Sequence, residues 1–370
     1  MKGDQKQNWV VKVGSALLSN PNQGIDRSII SSLAKDVSCL RNSGIRIVLV
    51  SSGSIAEGIQ RLGWSQRPNE LHRLQAAAAV GQMGLVEAYE KAFRQFGIKT
   101  AQVLLTDADI ADRARYLNAR ATLMALLDLE IVPVVNENDT VVTQEIRFGD
   151  NDTLAALVAN LVDAQFLVIL TDQKGLFDQD PRFNNDANLI REDVAGNPKL
   201  EAFAGTSGAL GRGGMVTKIR AAERAARSGT STVIASGKED SVLQSIKDGR
   251  VSGTILRSST GRIAARKQWL AGQLHVKGAL YLDPGAVEVL RQSGRSLLAV
   301  GVERLEGVFS RGELVSCIHS QSGLEVARGL VNYDSDETRQ ILGHPSKAIE
   351  GILGYLNEPE LINRDNIVIL

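Results

Sequence analysis

A lysine stands inside an apolar run and is followed at once by small residues: Val10-Val11-Lys12-Val13-Gly14-Ser15. On a strand such a lysine ordinarily turns to solvent. At a strand end, where glycine lets backbone N–H groups approach an anion closely, it can instead bring a point charge to a phosphate. Ser51-Ser52-Gly53-Ser54 offers a second such place. Small hydroxyl residues before a helix are ordinary N-caps, but four in a row also leave free N–H donors for a phosphate or carboxylate. No GxxxxGK[ST] phosphate loop follows a strand. Two acidic-amide clusters come next, Asn136-Glu137-Asn138-Asp139 and Gly149-Asp150-Asn151-Asp152, and Thr140–Phe148 alternates between them like a hairpin. Asn and Asp are common turn residues, and Asp152 is positioned to cap a helix starting at Thr153. Taken together, the clusters offer carboxylates for an ammonium group or Mg2+ and amides for a substrate carboxylate. Thr171-Asp172 closes another apolar run. The most glycine-dense loop, GTSGALGRGG at 205–214, leads into Met215-Val216-Thr217-Lys218. Its bland reading is a surface loop; its functional reading is a lid whose backbone wraps phosphates. A cation in the first turn of a helix opposes the helix dipole, so Lys218 makes most sense with an anion beside it. It is expected to be exposed.

The elements that must position these residues are legible as short β-branched runs: Trp9–Val13, Arg46–Val50, Gln102–Leu105, Ile131–Val135, Phe166–Leu170 and Thr232–Ala235. Helix-period stretches lie between them, among them Ser28–Arg41, Glu70–Phe96, Arg115–Leu129, Thr153–Leu161, Met215–Ser228 and Ser241–Asp248. Alternation of apolar strands with helices indicates an α/β fold: a mostly parallel sheet sandwiched by helices, with ligands gathering at the carboxyl ends of the strands. The rhythm changes near residue 255. A basic, polar stretch follows, then short glycine-rich strand candidates at Gly278–Leu282, Leu297–Val302, Glu313–Ile318 and Glu325–Asn332, which predict a small C-terminal β-barrel. The expected division is 1–256, a linker at 257–272, and 273–370.

Composition narrows the function. At 370 residues the chain has room for about two domains. Lys+Arg and Asp+Glu are both 42, so no large basic surface for nucleic acid is expected. Residues 261–370 carry 12 basic and 13 acidic side chains, so the second part is neutral as well. Cys39 and Cys317 are too far apart in sequence for a disulfide framework, and the four histidines are scattered. There is no signal-peptide core and no apolar run near the ~20 residues that span a bilayer. A reduced, cytoplasmic protein without membrane association is expected.

Six segments together, VVKVGSALL (10–18), SSGSIAEG (51–58), NENDTV (136–141), FGDNDTLAALVA (148–159), TDQKGLF (171–177) and GRGGMVTK (211–218), resemble the amino-acid kinase superfamily, most closely its glutamate 5-kinase family. The combination is specific, while each piece alone is not. HVKGALYLDPGA (275–286), GVFSRGELVSC (307–317) and ARGLVNYDSDETRQILG (327–343) resemble a PUA domain. The resemblance implies phosphorylation of the γ-carboxylate of L-glutamate by ATP with Mg2+, the first step of proline biosynthesis. By the same resemblance Lys12, Asp150 and Lys218 are catalytic, with Asp150 organising the two lysines, and Ser52, Asp139 and Asn151 bind glutamate. Lys12, Gly14, Gly53, Thr171, Asp172, Arg212, Gly213, Gly214, Met215, Val216, Thr217 and Lys218 would contact the nucleotide. No metal ligand is assigned. GRGG in place of the commoner GTGG adds a cation, Arg212, to the phosphate-facing loop. The family further implies feedback inhibition by proline and a homo-oligomer. Two rivals remain: a superfamily member acting on another carboxylate, carbamate or phosphate, and an RNA-binding protein. The neutral C-terminal part argues against strong RNA affinity.

Overall fold

The computed structural model describes residues 7–20, 24–141, 151–184, 186–203, 214–259 and 276–370. The expected hairpin over Thr140–Phe148 and the glycine-dense loop fall largely outside these residues. The chain divides into two compact units, one of 1–108 with 120–262, the other of 109–119 with 263–370. The second unit therefore takes a short internal segment, a departure from the contiguous division expected.

The strands of the first unit are β1 (Gln7–Val13), β2 (Ser19–Asn20), β3 (Gly24–Ile25), β4 (Ile45–Ser51), β5 (Thr100–Leu105), β6 (Val132–Glu137), β7 (Phe166–Thr171), β8 (Glu192–Val194), β9 (Ser231–Ser236) and β10 (Thr254–Arg257). Eight of them form one sheet in the order β5-β6-β4-β1-β7-β9-β10-β8. Pairing is parallel from β5 through β9, and β10 runs antiparallel to β9. Six of its strands were expected; β8 and β10, short and partly polar, were not. Trp9 through Val13 are all buried, which is why this strand sits at the centre with helices on both faces. The chain passes from β1 to β4 on one side and returns to β7 on the other. That is a topological switch point, where the crevice of such sheets opens at the carboxyl ends.

The helices up to residue 262 are α1 (Ser15–Leu18), α2 (Arg27–Asn42), α3 (Ser54–Arg61), α4 (Leu71–Arg94), α5 (Asp107–Ala111), α6 (Arg113–Asp128), α7 (Asp152–Leu161), α8 (Lys199–Phe203), α9 (Met215–Ala226) and α10 (Val242–Lys247). Of these, α5 and α6 each run across a boundary of the segment 109–119 that groups with the second unit. Val11 and Val13 join a core with residues of α2, α4 and α10. By strand alternation Lys12 projects to the other face, that of α7 and α9. α3 crosses α4 with almost no side chain between them. A Cβ on Gly58 would lie 1.7 Å from the Ala77 carbonyl oxygen, and one on Gly81 would lie 1.8 Å from that of Ser54. Only glycine permits this approach. It fixes the start of α3 at the end of β4.

The second unit holds a five-stranded sheet in the order β12-β11-β13-β14-β15, made of β11 (Gly278–Leu282), β12 (Val302–Gly307), β13 (Leu314–His319), β14 (Glu325–Leu330) and β15 (Ile367–Ile369). It has its own core around Leu280, Cys317 and Tyr333, and the helices α11 (Pro284–Ser293), α12 (Ser335–Ile341) and α13 (Ile349–Leu353). The strand expected at Leu297–Val302 is instead a 3-10 turn, Ala299–Gly301, with β12 starting at Val302. Gly301 packs so closely on α11 that a Cβ would lie 2.6 Å from that of Ala286, which bends the chain there.

Candidate active site

At the carboxyl end of β1 a carboxylate bridges two lysines. Lys12 Nζ lies 2.5 Å from Asp152 Oδ1, and Lys218 Nζ lies 3.0 Å from Asp152 Oδ2. Asp152 is fully buried, and the two lysines are 3% and 4% exposed. Each comes from a different element: Lys12 from β1, Asp152 from the first residue of α7, Lys218 from the first turn of α9. Thr217 Oγ donates to Asp152 Oδ2 at 2.8 Å, which ties the start of α9 to the start of α7. The three charged groups carry one net positive charge, and burial costs a charge dearly unless it is paired. An anion is the natural complement of such a cluster.

Three expectations change here. Lys218 is buried, not exposed, because its head reaches inward to Asp152 while α9 packs on α7. Asp152 does not cap α7: the N-cap is Asn151, without a side-chain capping bond, and Asp152 is the first helical residue with its carboxylate turned to the lysines. The bridging role expected of Asp150 is filled by Asp152. Asp150 itself lies outside the described residues, as do Arg212 and Gly213.

Beside this cluster lies a cavity of about 280 Å3 lined by Ser15, Ala16, Ser19, Ser52, Gly53, Ser54, Ile55, Ala56, Arg67, Asp139 and Asn151. Ser52, Asp139 and Asn151, expected to bind one substrate, are thus brought together. Gly53 takes φ +108 at the head of α3, a left-handed conformation that suits glycine. The first N–H groups of α3 lack intrahelical acceptors, and the residues that carry them, Ser54, Ile55 and Ala56, line the cavity. The Ser52 hydroxyl is buried without a hydrogen-bond partner among the described residues.

Asn151 is held from two sides. Its Nδ2 donates to the Ser51 carbonyl at 2.6 Å and to Asn136 Oδ1 at 2.8 Å. Because a carbonyl can only accept, the atom facing Ser51 must be the nitrogen. Both amide hydrogens are consumed, so the side chain keeps only its oxygen for a ligand. That reverses the expected use of this amide as a carboxylate donor. Asn136 in turn donates to Gln82 Oε1 of α4 at 2.8 Å, and the Ser51 hydroxyl meets the Tyr89 hydroxyl at 2.9 Å. Asp139 accepts from Ser54 Oγ at 2.9 Å. Burial pushes the Asp139 carboxyl above its ordinary 3.8, against the opposing pull of the Ser54 hydrogen bond and the Arg67 charge.

On the far side of β1, Thr171 ends β7 and its hydroxyl donates to Asp172 Oδ1 at 3.0 Å. The Gly14 N–H donates to the Leu170 carbonyl at 3.1 Å, and a Cβ there would lie 3.3 Å from that oxygen and 3.8 Å from Lys12 Nζ. Gly14 thus lets β1 and β7 approach closely at the level of the lysine head. Gly214 caps α9, followed by Met215 and Val216. Sequence reasoning missed Arg67 and Ser19. Arg67 lies in a connecting loop without motif or periodicity, and only the fold brings it to the cavity.

No group of three or more His, Cys, Asp or Glu side chains able to hold a metal occurs among the described residues. Asp152, the deepest carboxylate, is committed to lysines. The donor set does not fit a metal bound by protein alone. Mg2+ commonly travels on substrate phosphates with one or two carboxylates. No helix among the described residues is long and apolar enough to cross a membrane.

Residues 7–236 match the amino acid kinase family, and residues 278–353 match the PUA domain. The glutamate 5-kinase of Nitrosococcus oceani is 61% identical over 363 residues, covering 98% of this chain and 96% of that protein. That of Thioalkalivibrio sulfidiphilus is 60% identical with the same coverage. Among solved structures, the carbamate kinase of Giardia lamblia bound to AMP-PNP superposes with a TM-score of 0.52 at 16% identity, covering 69% of this chain and 99% of that one. At that identity the likeness concerns the fold alone.

Proposed function

The chain belongs to the amino acid kinase family, and from that premise we propose that it transfers the γ-phosphoryl group of ATP to the γ-carboxylate of L-glutamate. The products are ADP and γ-glutamyl phosphate, and the reaction opens proline biosynthesis. The observation that carries this reading is the lysine pair bridged by Asp152, joined through the adjacent Asn151 to a cavity of amino-acid size.

The γ-carboxylate is ionised at neutral pH and is itself the nucleophile, so no base has to remove a proton. One carboxylate C–O oxygen forms the new bond to phosphorus as the bond to the β,γ-bridging oxygen breaks, and the electron pair leaves with ADP. Catalysis then reduces to alignment and charge neutralisation. Lys12 and Lys218 hold positive charge where the phosphoryl group moves, and Asp152 keeps both heads at fixed positions in a water-poor setting, where such contacts are strongest. Asp139 and the Asn151 oxygen suit the substrate ammonium, and the Ser52 hydroxyl is a donor in reserve. Gly14, Gly53, Thr171, Asp172 and the stretch from Arg212 to Lys218 are assigned to the nucleotide in this reading. Mg2+ would arrive on the ATP phosphates and neutralise their charge; no step is assigned to it.

Proline carries the same α-ammonium and α-carboxylate without a γ-carboxylate, and we assign it as an inhibitor competing with glutamate. A cytoplasmic homo-oligomer whose second unit binds RNA weakly or not at all completes the reading; the charge balance of that unit supports the last point.

The test is hydroxamate formation from hydroxylamine with Mg2+, ATP and L-glutamate. Aspartate, one methylene shorter, should be poorer by about 10–200-fold in kcat/KM. Equal turnover of aspartate, or none of glutamate, overturns the assignment.

A further inference from the structure

L-Glutamate brings three charged groups to the cavity, and the residues described so far account for two of them. The γ-carboxylate goes to the lysines, and the α-ammonium to Asp139 and the Asn151 oxygen. The α-carboxylate has only uncharged donors in that scheme, the Ser52 hydroxyl and the N–H groups at the head of α3, because both Asn151 amide hydrogens are spent on Ser51 and Asn136. Among the described residues lining the cavity there is one cation, Arg67. It sits on the loop between α3 and α4, outside every segment that carries chemistry in the sequence. It is close enough to Asp139 for its charge to act on that carboxyl.

We propose that Arg67 is a specificity-determining residue that recognises the α-carboxylate of the amino-acid substrate, with Asp139 taking the neighbouring ammonium. The proposal rests on the reading of this site as a glutamate kinase. A guanidinium is a planar fork that meets a carboxylate through two parallel hydrogen bonds, which gives direction as well as charge. Arg67 and Asp139 both line the cavity and together offer one charge of each sign, the complement of a zwitterionic amino-acid head. Either group alone would accept an acid or an amine; the two together select an α-amino acid. The N–H groups at the head of α3 are the alternative holders of the α-carboxylate, and they survive any substitution of Arg67.

The experiment uses the full-length chain with Mg2+ and ATP and compares three acceptors. L-Glutamate has all three charged groups, 4-aminobutyrate lacks the α-carboxylate, and glutarate lacks the ammonium. Arg67→Met should lower kcat/KM for glutamate about 10–100-fold, mainly through KM, as expected for losing hydrogen bonds to a charged group. It should leave 4-aminobutyrate unchanged, so that the preference between the two collapses. Arg67→Lys should restore part of it. Asp139→Asn should instead erode the preference for glutamate over glutarate. Where an analogue turns over too slowly, its inhibition constant against glutamate supplies the same ratio. Equal losses for glutamate and 4-aminobutyrate in Arg67→Met, or no loss for either, overturn the role of Arg67. Wild-type protein inactive on glutamate fails the underlying reading instead, and the two failures are told apart by that control.

Discussion

Asp152 concentrates more consequence than any other single side chain here. It is fully buried between two lysines that are nearly as buried. Removing one partner of a buried charge pair costs about 3–5 kcal/mol, because the other charge is left behind. Asp152→Ala should therefore lower both kcat and the urea midpoint. Lys218→Ala should cut kcat by about 10²–10³-fold and, because the residue is buried, lower the midpoint too. A Lys218→Ala protein with wild-type stability would show that the lysine head is solvated in solution. Asp139 behaves oppositely. Its pKa is raised by burial, so the folded state prefers it neutral. Such a group favours folding at low pH, and that contribution is lost as pH rises through the raised pKa. Asp139→Asn, which can keep the Ser54 bond, should thus raise Tm at pH 7, and the gain should vanish below the ordinary value of 3.8. In the same protein kcat/KM for glutamate should lose the acid limb that wild type shows as Asp139 protonates; an unchanged pH profile would place that limb elsewhere. The sequence announced Lys12 and Lys218 by their company at strand and helix ends. It gave the role between them to Asp150, and the structure gives it to Asp152, because which carboxylate faces β1 depends on the phase at which α7 begins.

At the scale of elements, the site depends on the crossing of α3 and α4. Gly81→Ala would drive a methyl group into the Ser54 carbonyl and push back the head of α3, whose N–H groups and Ser54 hydroxyl serve the cavity. Overpacking of this kind costs about 1–3 kcal/mol. The expected result is a lower Tm together with a higher KM for glutamate. Gly351→Ala is the control: it sits in α13 with open space around it and should be neutral or slightly stabilising, since alanine is the better helix former. If Gly81→Ala behaves like the control, the helices have room to slide. Strongly periodic or apolar elements were readable from sequence, and the central strands and α4 fall where expected. β8 and β10 were not, because they have only three and four residues: β8 is polar and lies at the edge of the sheet, and β10, between β9 and β8, is too short to show a period. The crossing itself left no sequence signal beyond glycines in a helix, which alone have several readings.

For the whole molecule, the informative feature is that Asp109–Ala119 groups with the second unit. A chain ending at residue 262 should keep the main sheet and its glutamate-dependent activity, yet leave that segment without the unit it groups with. Trypsin should then cut after Arg113 or Arg115 faster than in the full-length protein. Equal cutting rates would mean that the segment is secured by the first unit, and complete loss of activity would mean that the second unit is needed for catalysis. A division into two units was legible from the change of rhythm near residue 255, but the internal segment was not, since composition does not reveal which core a surface helix turn joins. The placement of β1 has a consequence for the birth of the protein. This strand leaves the ribosome before the strands it pairs with, and on one edge it pairs with β7, whose first residue is Phe166. Synthesis at about 5–20 residues per second separates the two by roughly 10–30 s. Throughout that interval an apolar strand waits with one side open, and parallel pairing across so long a stretch is slow in itself. The yield of folded protein should therefore depend on translation rate and on chaperones that shield this edge, more than on the stability of the finished fold.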